Sequence, residues 1–372
     1  MTVRKQRATQ TATGAWAGDS TVQVNLDRKG AITRIYATAE VTPSATLGGA
    51  TSAGGSIWHI AQNLVIAGGG QTYFQLPADD ACKGGLLLHY LNRYDGFGVG
   101  HPMAVITAPR RTYTPLTYVL HAGTRPKDQY GRDNPFDMTA FIPAVSEGQL
   151  RADWVTAGND VMDDVVTISS ATLRFTLCFV MGEEAELLEE MAGQDIMQGS
   201  VLPPGVKAMI PAWTAERFPH TATQTSYNEE RNVPAGGWLS HIALVDQDDT
   251  ATRSLLASDQ VTGIAIKESR FGFDPIAAFV DCDQADHPLG DNLVVDDGVD
   301  LGGAAPHGVF VKDLTRHATT PWGREYGMNM GAPGVGVGDV KLGLTVSTYA
   351  AGDDSLIIYR RRLPVSPGTR IP

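Results

Sequence analysis

Helical periodicity is confined to little more than one stretch of this chain, and strand-like alternation fills most of the rest. The helical stretch is Glu183-Glu184-Ala185-Glu186-Leu187-Leu188-Glu189-Glu190-Met191-Ala192. Leu187, Leu188 and Met191 share one face, and carboxylates crowd the first turn, where the helix dipole favours them. Before it, Val22 to Leu26 alternates with period two, Ala31 to Val41 is rich in strand formers, and Asn63 to Ala67 runs into Gly68-Gly69-Gly70. Thr72 to Leu76, Thr112 to Leu120, Val165 to Ile168 and Ala171 to Val180 follow. Leu86 to Leu91 fits a short helix or a buried strand equally well. After it come Trp238 to Val245, Val261 to Ile266, Ile276 to Val280, Val309 to Val311, Val340 to Val346 and Leu356 to Tyr359. Short strands at this spacing, parted by turns of Gly, Asp and Pro, predict an antiparallel sandwich or barrel.

The two runs of strands echo one another. Gly30-Ala31-Ile32-Thr33-Arg34-Ile35 lies on Gly237-Trp238-Leu239-Ser240-His241-Ile242 at an offset of 207 residues. Asn63 to Ala67 lies on Gly263 to Lys267 at an offset of 200, and an aromatic-bearing strand follows each, at Tyr73-Phe74 and Phe271-Gly272-Phe273. A duplicated unit is the expectation. The fold class is then all-β, with two tandem eight-stranded antiparallel jelly rolls, short helices and long loops. The expected boundaries are a polar arm over 1–20, a first roll over 21–182, a helix and Pro-rich linker over 183–232, a second roll over 233–362 and a tail over 363–372.

Composition narrows the function. At 372 residues the chain can bury a core without metal or disulfide staples. Only 19% of residues are charged, which suits a protein with much of its surface in contacts. A net charge of −12 repels nucleic acid and anionic membrane except where bases cluster, so no specific nucleic-acid recognition is expected. The clusters are Arg4, Lys5 and Arg7 near the start and Arg360-Arg361-Arg362 near the end, each able to meet an anionic surface or, for the second, to pair between subunits. The first residues lack the apolar region of a signal peptide, and no apolar run is long enough for a membrane-spanning helix.

Catalytic signatures are missing: the sequence holds no GxSxG, HExxH or GxxxxGK[ST]. No catalytic residue, cofactor or enzyme activity is expected. Cys82, Cys178 and Cys282 lack zinc-site spacing, and Cys178, in Leu177-Cys178-Phe179-Val180, reads as a small buried hydrophobe. Asp281, Asp283 and Asp286 form the densest oxygen-rich cluster and are weak calcium candidates. They depart from the EF-hand pattern, and a solvated acidic loop is the plainer reading. His59 and His241 sit in strand-like stretches and read as structural. Trp154, Trp213, Trp238 and Trp322 fit core packing better than a sugar-binding platform.

The layout of arm, Gly30 strand, Ile57-Trp58-His59-Ile60, the strand into Gly68-Gly69-Gly70, and the restart at Gly236-Gly237-Trp238-Leu239 resembles a family. It is similar to the double jelly-roll major capsid proteins of tailless, membrane-containing icosahedral double-stranded DNA bacteriophages, over residues 22–360. The resemblance implies a structural virion protein, synthesised in the host cytoplasm, whose homotrimers of pseudo-hexagonal outline tile a capsid lattice. Other virion proteins would be its partners, and Arg4, Lys5 and Arg7 on an inward-facing arm could meet an internal membrane. Loops 122–160 and 283–308 would form outer towers. The alternatives are a β-sandwich carbohydrate-binding protein or glycoside hydrolase, and another trimeric virion or tail component.

Overall fold

The structure is a computed structural model that describes residues 4–14, 20–43, 61–76, 87–88, 91–92, 116–128, 130–145, 147–156, 168–183, 186–187, 202–219, 224–247, 261–268, 309–315, 320–331, 340–349 and 354–365. Its first half holds β1 (Arg4–Gly14), β2 (Thr21–Asn25), β3 (Ala31–Pro43), β4 (Ala61–Gly68), β5 (Gln71–Gln75), β6 (Leu116–His121), β7 (Ile142–Pro143), β8 (Leu150–Thr156) and β9 (Ile168–Met181). Its second holds β10 (Ala208–Pro219), β11 (Gln224–Asn232), β12 (Trp238–Gln247), β13 (Val261–Glu268), β14 (Val309–Asp313), α1 (Pro321–Tyr326), β15 (Met328–Asn329), β16 (Val340–Tyr349) and β17 (Asp354–Val365).

Chain-neighbouring strands mostly fall in opposite sheets. In the first half one sheet runs β1-β9-β3-β6, with β7 beside β3, and the other runs β2-β8-β4-β5. In the second half the orders are β10-β17-β12-β14, with β15 beside β12, and β11-β16-β13. All these pairings are antiparallel. Each half is thus a chain wrapped back and forth between two facing sheets, its first strand paired with its last, which is a jelly roll. The first roll has all eight strands. In the second, the place answering to β5 holds no strand among the described residues, and Phe271 to Phe273 lie outside them.

The duplication extends to local defects. Gly30 and Gly237 both take positive φ (+56° and +72°), and a Cβ on either would lie 2.3 Å from a carbonyl oxygen, of Val180 in β9 and of Arg362 in β17. Three residues further on, register slips at Thr33 in the β3–β9 ladder and at Ser240 in the β12–β17 ladder. Both slips carry a buried hydroxyl bonded to the facing strand: Thr33 Oγ1 donates to Cys178 O (3.3 Å) and Ser240 Oγ to Arg360 O (3.1 Å). Shared bulges of this kind are built features, not accidents of one strand.

Alternation places Ile35, Ala37, Leu173, Phe175 and Leu177 inside the first roll with Leu64, Ile66 and Trp154 from the facing sheet. Trp154 packs 5.9 Å from both Tyr118 and Phe175, centroid to centroid. Leu239, Ile242, Leu244, Ile357, Tyr359, Leu342 and Leu344 fill the second roll. Gly69 and Gly70 both take positive φ in the two-residue turn between β4 and β5, a conformation glycine adopts freely.

Several expectations require correction. Residues 4–14 of the expected arm are strand β1, paired along its length with β9. Its threonines suit a pleated strand, and its polarity belongs to an exposed sheet face. The expected linker over 183–232 contains β10 and β11, so the second roll starts at Ala208. Prolines 211 and 219 lie within β10, which pairs on one side only, where a missing N–H is tolerated. Of the 122–160 tower, 150–156 is strand β8, and Met138 to Ile142 are buried between the rolls rather than projecting. Residues 283–308 and 276–280 lie outside the described residues. The 86–91 ambiguity resolves as helical backbone at 87–88 and 91–92, with Leu87, Leu88 and Leu91 buried. The helix expected over 183–192 is helical at the described Glu186 and Leu187. The Glu186 side chain accepts from Glu183 N–H (3.1 Å), which satisfies one backbone donor at the start of the turn.

Candidate functional site

The richest polar chemistry lies where the two rolls meet. Arg362, near the end of β17, is 1% exposed. Its Nε donates to Ala122 O (3.1 Å), Nη1 to Ser240 Oγ (2.9 Å) and Nη2 to Gly123 O. One guanidinium therefore joins the last strand of the second roll to the chain leaving β6 of the first. Beside it, α1 begins at Thr320, whose hydroxyl accepts from Gly323 N–H (3.0 Å), with Pro321 at the position where a missing N–H costs nothing. This cap aims Glu325 at Arg125, which donates from Nε (3.0 and 3.2 Å) and Nη2 (2.9 Å). Thr124 Oγ1 donates to the same carboxylate. Tyr326, fully buried, donates to Thr139 O (3.4 Å).

Apolar contact continues the seam. Trp213 of β10 meets Phe74 of β5 edge to face at 5.0 Å. With Ala243, Leu356 and Ile358 it belongs to the same core cluster as the first roll's interior. β17 is consequently buried on both faces from Ser355 to Arg362.

A second network fixes the 122–139 segment. Arg34, fully buried, donates to His121 Nδ1 (3.0 Å), Tyr36 Oη (2.9 Å), Asp133 Oδ1 (2.6 Å), Pro126 O (3.2 Å) and Asn134 O (3.0 Å). Because Nδ1 accepts from Arg34, the ring proton sits on Nε2, which faces Asp137 Oδ2 at 3.2 Å. Burial alone would push the Asp137 carboxyl up. His121, with the N–H groups of Thr139 and Arg125, outweighs it and holds the carboxyl below its usual value. Tyr36, against Arg34, is pushed up by burial. The arrangement is a set of saturated hydrogen bonds that hold a loop in place.

The expected site residues scatter. Arg4, Lys5 and Arg7 are exposed on β1, with the Arg7 guanidinium 5.9 Å from the Tyr36 ring. Asp281, Asp283 and Asp286, like Cys82, Cys282 and His59, lie outside the described residues. Among the described residues no group of three or more His, Cys, Asp or Glu stands together as a metal site. Arg360, Arg361 and Arg362 do not face out. Arg360 lies 4.5 Å over Trp213, and Arg361 Nη1 donates to Ala235 O (2.6 Å) and Gly236 O (3.3 Å). Charge alone suggests a surface, whereas the run continues Leu356-Ile357-Ile358-Tyr359, whose lack of alternation marks a strand buried on both sides. Cys178 is a buried free thiol, as expected, and burial pushes it up. Trp154, Trp213 and Trp238 are buried, and Trp322 packs against Tyr326 and Trp238. No described helix is long and apolar enough to cross a membrane. Arg34, Arg125 and Glu325 were missed. Arg34 alone gave a signal, as a charge inside an apolar strand.

No protein-family model and no curated protein matches the chain. Solved structures do match. The major capsid protein of Sulfolobus turreted icosahedral virus aligns at 12% identity and a TM-score of 0.60, over 96% of this chain and 97% of that one. In the atomic structure of the same virus the values are 14%, 0.61, 98% and 91%. The major capsid protein P2 of bacteriophage PM2 aligns at 9% identity and 0.51, over 98% and 100%. The chain is an all-β protein with the double jelly-roll fold. That fold is shared over nearly the full length of both chains with capsid proteins of an archaeal virus and a bacteriophage.

Proposed function

We propose that this chain is a structural virion protein, the major capsid protein of an icosahedral shell. The observation that carries the reading is the pair of jelly rolls fused by a buried seam and aligned over the full length of major capsid proteins. A seam built from a buried Arg362 and an apolar face locks the rolls as one rigid tile, which a shell needs and a binding module does not. The reading makes the protein a non-enzyme that assembles with itself into trimers and then a lattice, located in the virion. The carbohydrate-binding alternative is disfavoured by the burial of Trp154, Trp213 and Trp238, which removes three of the four candidate platform rings.

The reading extends to an inner surface. Arg4, Lys5 and Arg7 start β1 at the end of the roll where β9 finishes, and Arg28 and Lys29 are exposed just before β3 at that same end. These bases share that end with Glu183 and Glu186, and Lys29 is bridged to Asp27 (3.2 Å), so it is the exposed Arg4, Lys5 and Arg7, in a chain of net charge −12, that support contact with anionic lipid headgroups. Light scattering with negative-stain imaging tests the main reading. A particle of about 119 kDa, three times 39.7 kDa, with a hexagonal outline supports it, and a monomer at every concentration overturns it. Flotation with vesicles containing anionic lipid tests the membrane contact. Binding that the triple variant R4E/K5E/R7E abolishes supports it, and equal flotation with neutral vesicles overturns it.

A further inference from the structure

The two rolls differ sharply in what they place inside at one edge. Their ladders align β10 with β1, β17 with β9 and β11 with β2. Thr214 then takes the place of Ala8, Glu216 that of Gln10, Tyr359 that of Leu177, Arg361 that of Phe179 and Arg231 that of Val24. Alternation turns all ten toward the interior of their own roll. In the first roll this corner is mostly apolar and closed. Leu177 and Phe179 are fully buried, Ala8 and Val24 pack on the core, and Gln10 Oε1 accepts from the N–H of Asp27 (3.0 Å). In the second roll the same corner holds two guanidiniums, a carboxylate, a phenol and a hydroxyl.

The hydrogen bonds of that corner do not close. Tyr359 is fully buried, and among the described residues its Oη has no partner. The same holds for the buried Thr214 Oγ1 and Arg361 Nε. The Arg231 guanidinium lies 4.3 Å over the Phe218 ring. Glu216 feels the charges of Arg231 and Arg361, yet among the described residues it forms no ion pair with either, and burial pushes its carboxyl up against their pull. Folded proteins leave few buried polar groups unmet, and three stand together here. β10 and β11 end their sheets on the same side, and Glu216 and Arg231 are partly exposed, so the corner opens to solvent there.

We propose that this corner of the second roll binds a small monovalent anion of the halide class, held by Arg361, Arg231 and the hydroxyls of Tyr359 and Thr214. Each of the three unmet groups can donate, so a guest that only accepts satisfies all of them. Charge separates an anion from water. Among the described residues facing the corner, two positive charges meet one negative, and one bound anion brings the sum to zero where water leaves a buried net charge. Glu216 sets the limit, since a doubly charged guest would overshoot the balance and be repelled. The bound ion ties β10, β11 and β17 together at an edge that the first roll closes with apolar side chains. The inference does not depend on the capsid reading.

Thermal midpoints of the full chain test it, with sodium chloride replacing sodium gluconate at constant ionic strength. The expected wild-type midpoint rises by about 2 °C for each tenfold rise in chloride once the site fills. The double variant Thr214→Val with Tyr359→Phe keeps the shape and removes both hydroxyls. In gluconate it should melt at or above the wild type, because two unmet groups are gone, and in chloride below it. A wild type indifferent to chloride, or a variant with the same chloride response, overturns the inference. Anomalous diffraction from wild-type crystals grown in sodium bromide gives a second measurement that needs no variant. A bromide peak within hydrogen-bond reach of Tyr359 Oη and Arg361 Nε supports the site, and water density there without an anomalous peak overturns it.

Discussion

Replacing Arg362 by Met removes the guanidinium while keeping most of the side chain's volume, so the cost is dominated by the groups left behind. Ala122 O, Gly123 O and Ser240 Oγ lose their donor together in a site that is 1% exposed. Ser240 Oγ keeps its bond to Arg360 O and its contact with His241 Nδ1, so the two carbonyls carry the loss; at about 1–3 kcal/mol for each orphaned buried acceptor the expected total is about 4 kcal/mol. That is a large share of the roughly 5–15 kcal/mol by which a folded domain is stable. Urea unfolding followed by circular dichroism reads it as a lower midpoint at unchanged slope. Lys341→Met is the contrast. It breaks the exposed 3.0 Å bridge to Glu230 and should cost about 0–1 kcal/mol. A loss below about 1 kcal/mol for Arg362→Met would refute the argument, because it would mean that water reaches the three acceptors and the seam is not dry.

Gly30→Ala and Gly237→Ala should each cost at least about 2 kcal/mol, and by similar amounts, since each puts a Cβ 2.3 Å from a carbonyl oxygen at positive φ; paired urea titrations check this. Asp137 has its folded pKa below its unfolded value, so its contribution is present at neutral pH and lost as pH falls through the folded value. Asp137→Asn should therefore lower stability at pH 7 and flatten the acid limb below about pH 4, read from thermal midpoints across pH. In a background of Cys82→Ser and Cys282→Ser, Cys178 should resist a thiol reagent in the native protein and react fully in denaturant; rapid labelling without denaturant would contradict its burial.

The sequence made the strands of both rolls and their duplication legible because Ile32, Ile35, Leu64 and Ile66 alternate or run against glycine turns, and because Gly30 and Gly237 must stay glycine. It hid β1, since Arg4 to Gly14 pairs through its backbone while its side chains stay polar, and polarity reads as an arm. It hid β10 behind prolines that an edge strand tolerates. The seam was the least legible part. Arg362, Arg125 and Glu325 are charged residues whose partners stand far off in the chain, with Arg362 bonded across 240 residues to Ala122, and no local pattern announces such a partner. The one usable trace was the unbroken apolar run before Arg360, which marks a strand with no wet face.

The pairing of first strand with last also sets an order of synthesis. β1 waits for β9, so the first roll closes only when Met181 has left the ribosome; β10 waits for β17, so the second closes only when Val365 has left it. The seam closes with the second roll, because its guanidinium sits on β17 itself. A chain interrupted before Arg362 would hold a finished first roll beside an open second one and lack the donor that joins them. The fold thereby checks its own continuity: only a copy that carries both closing strands becomes a rigid tile, and copies that stop short of β17 are kept out of any assembly that depends on both rolls moving as one.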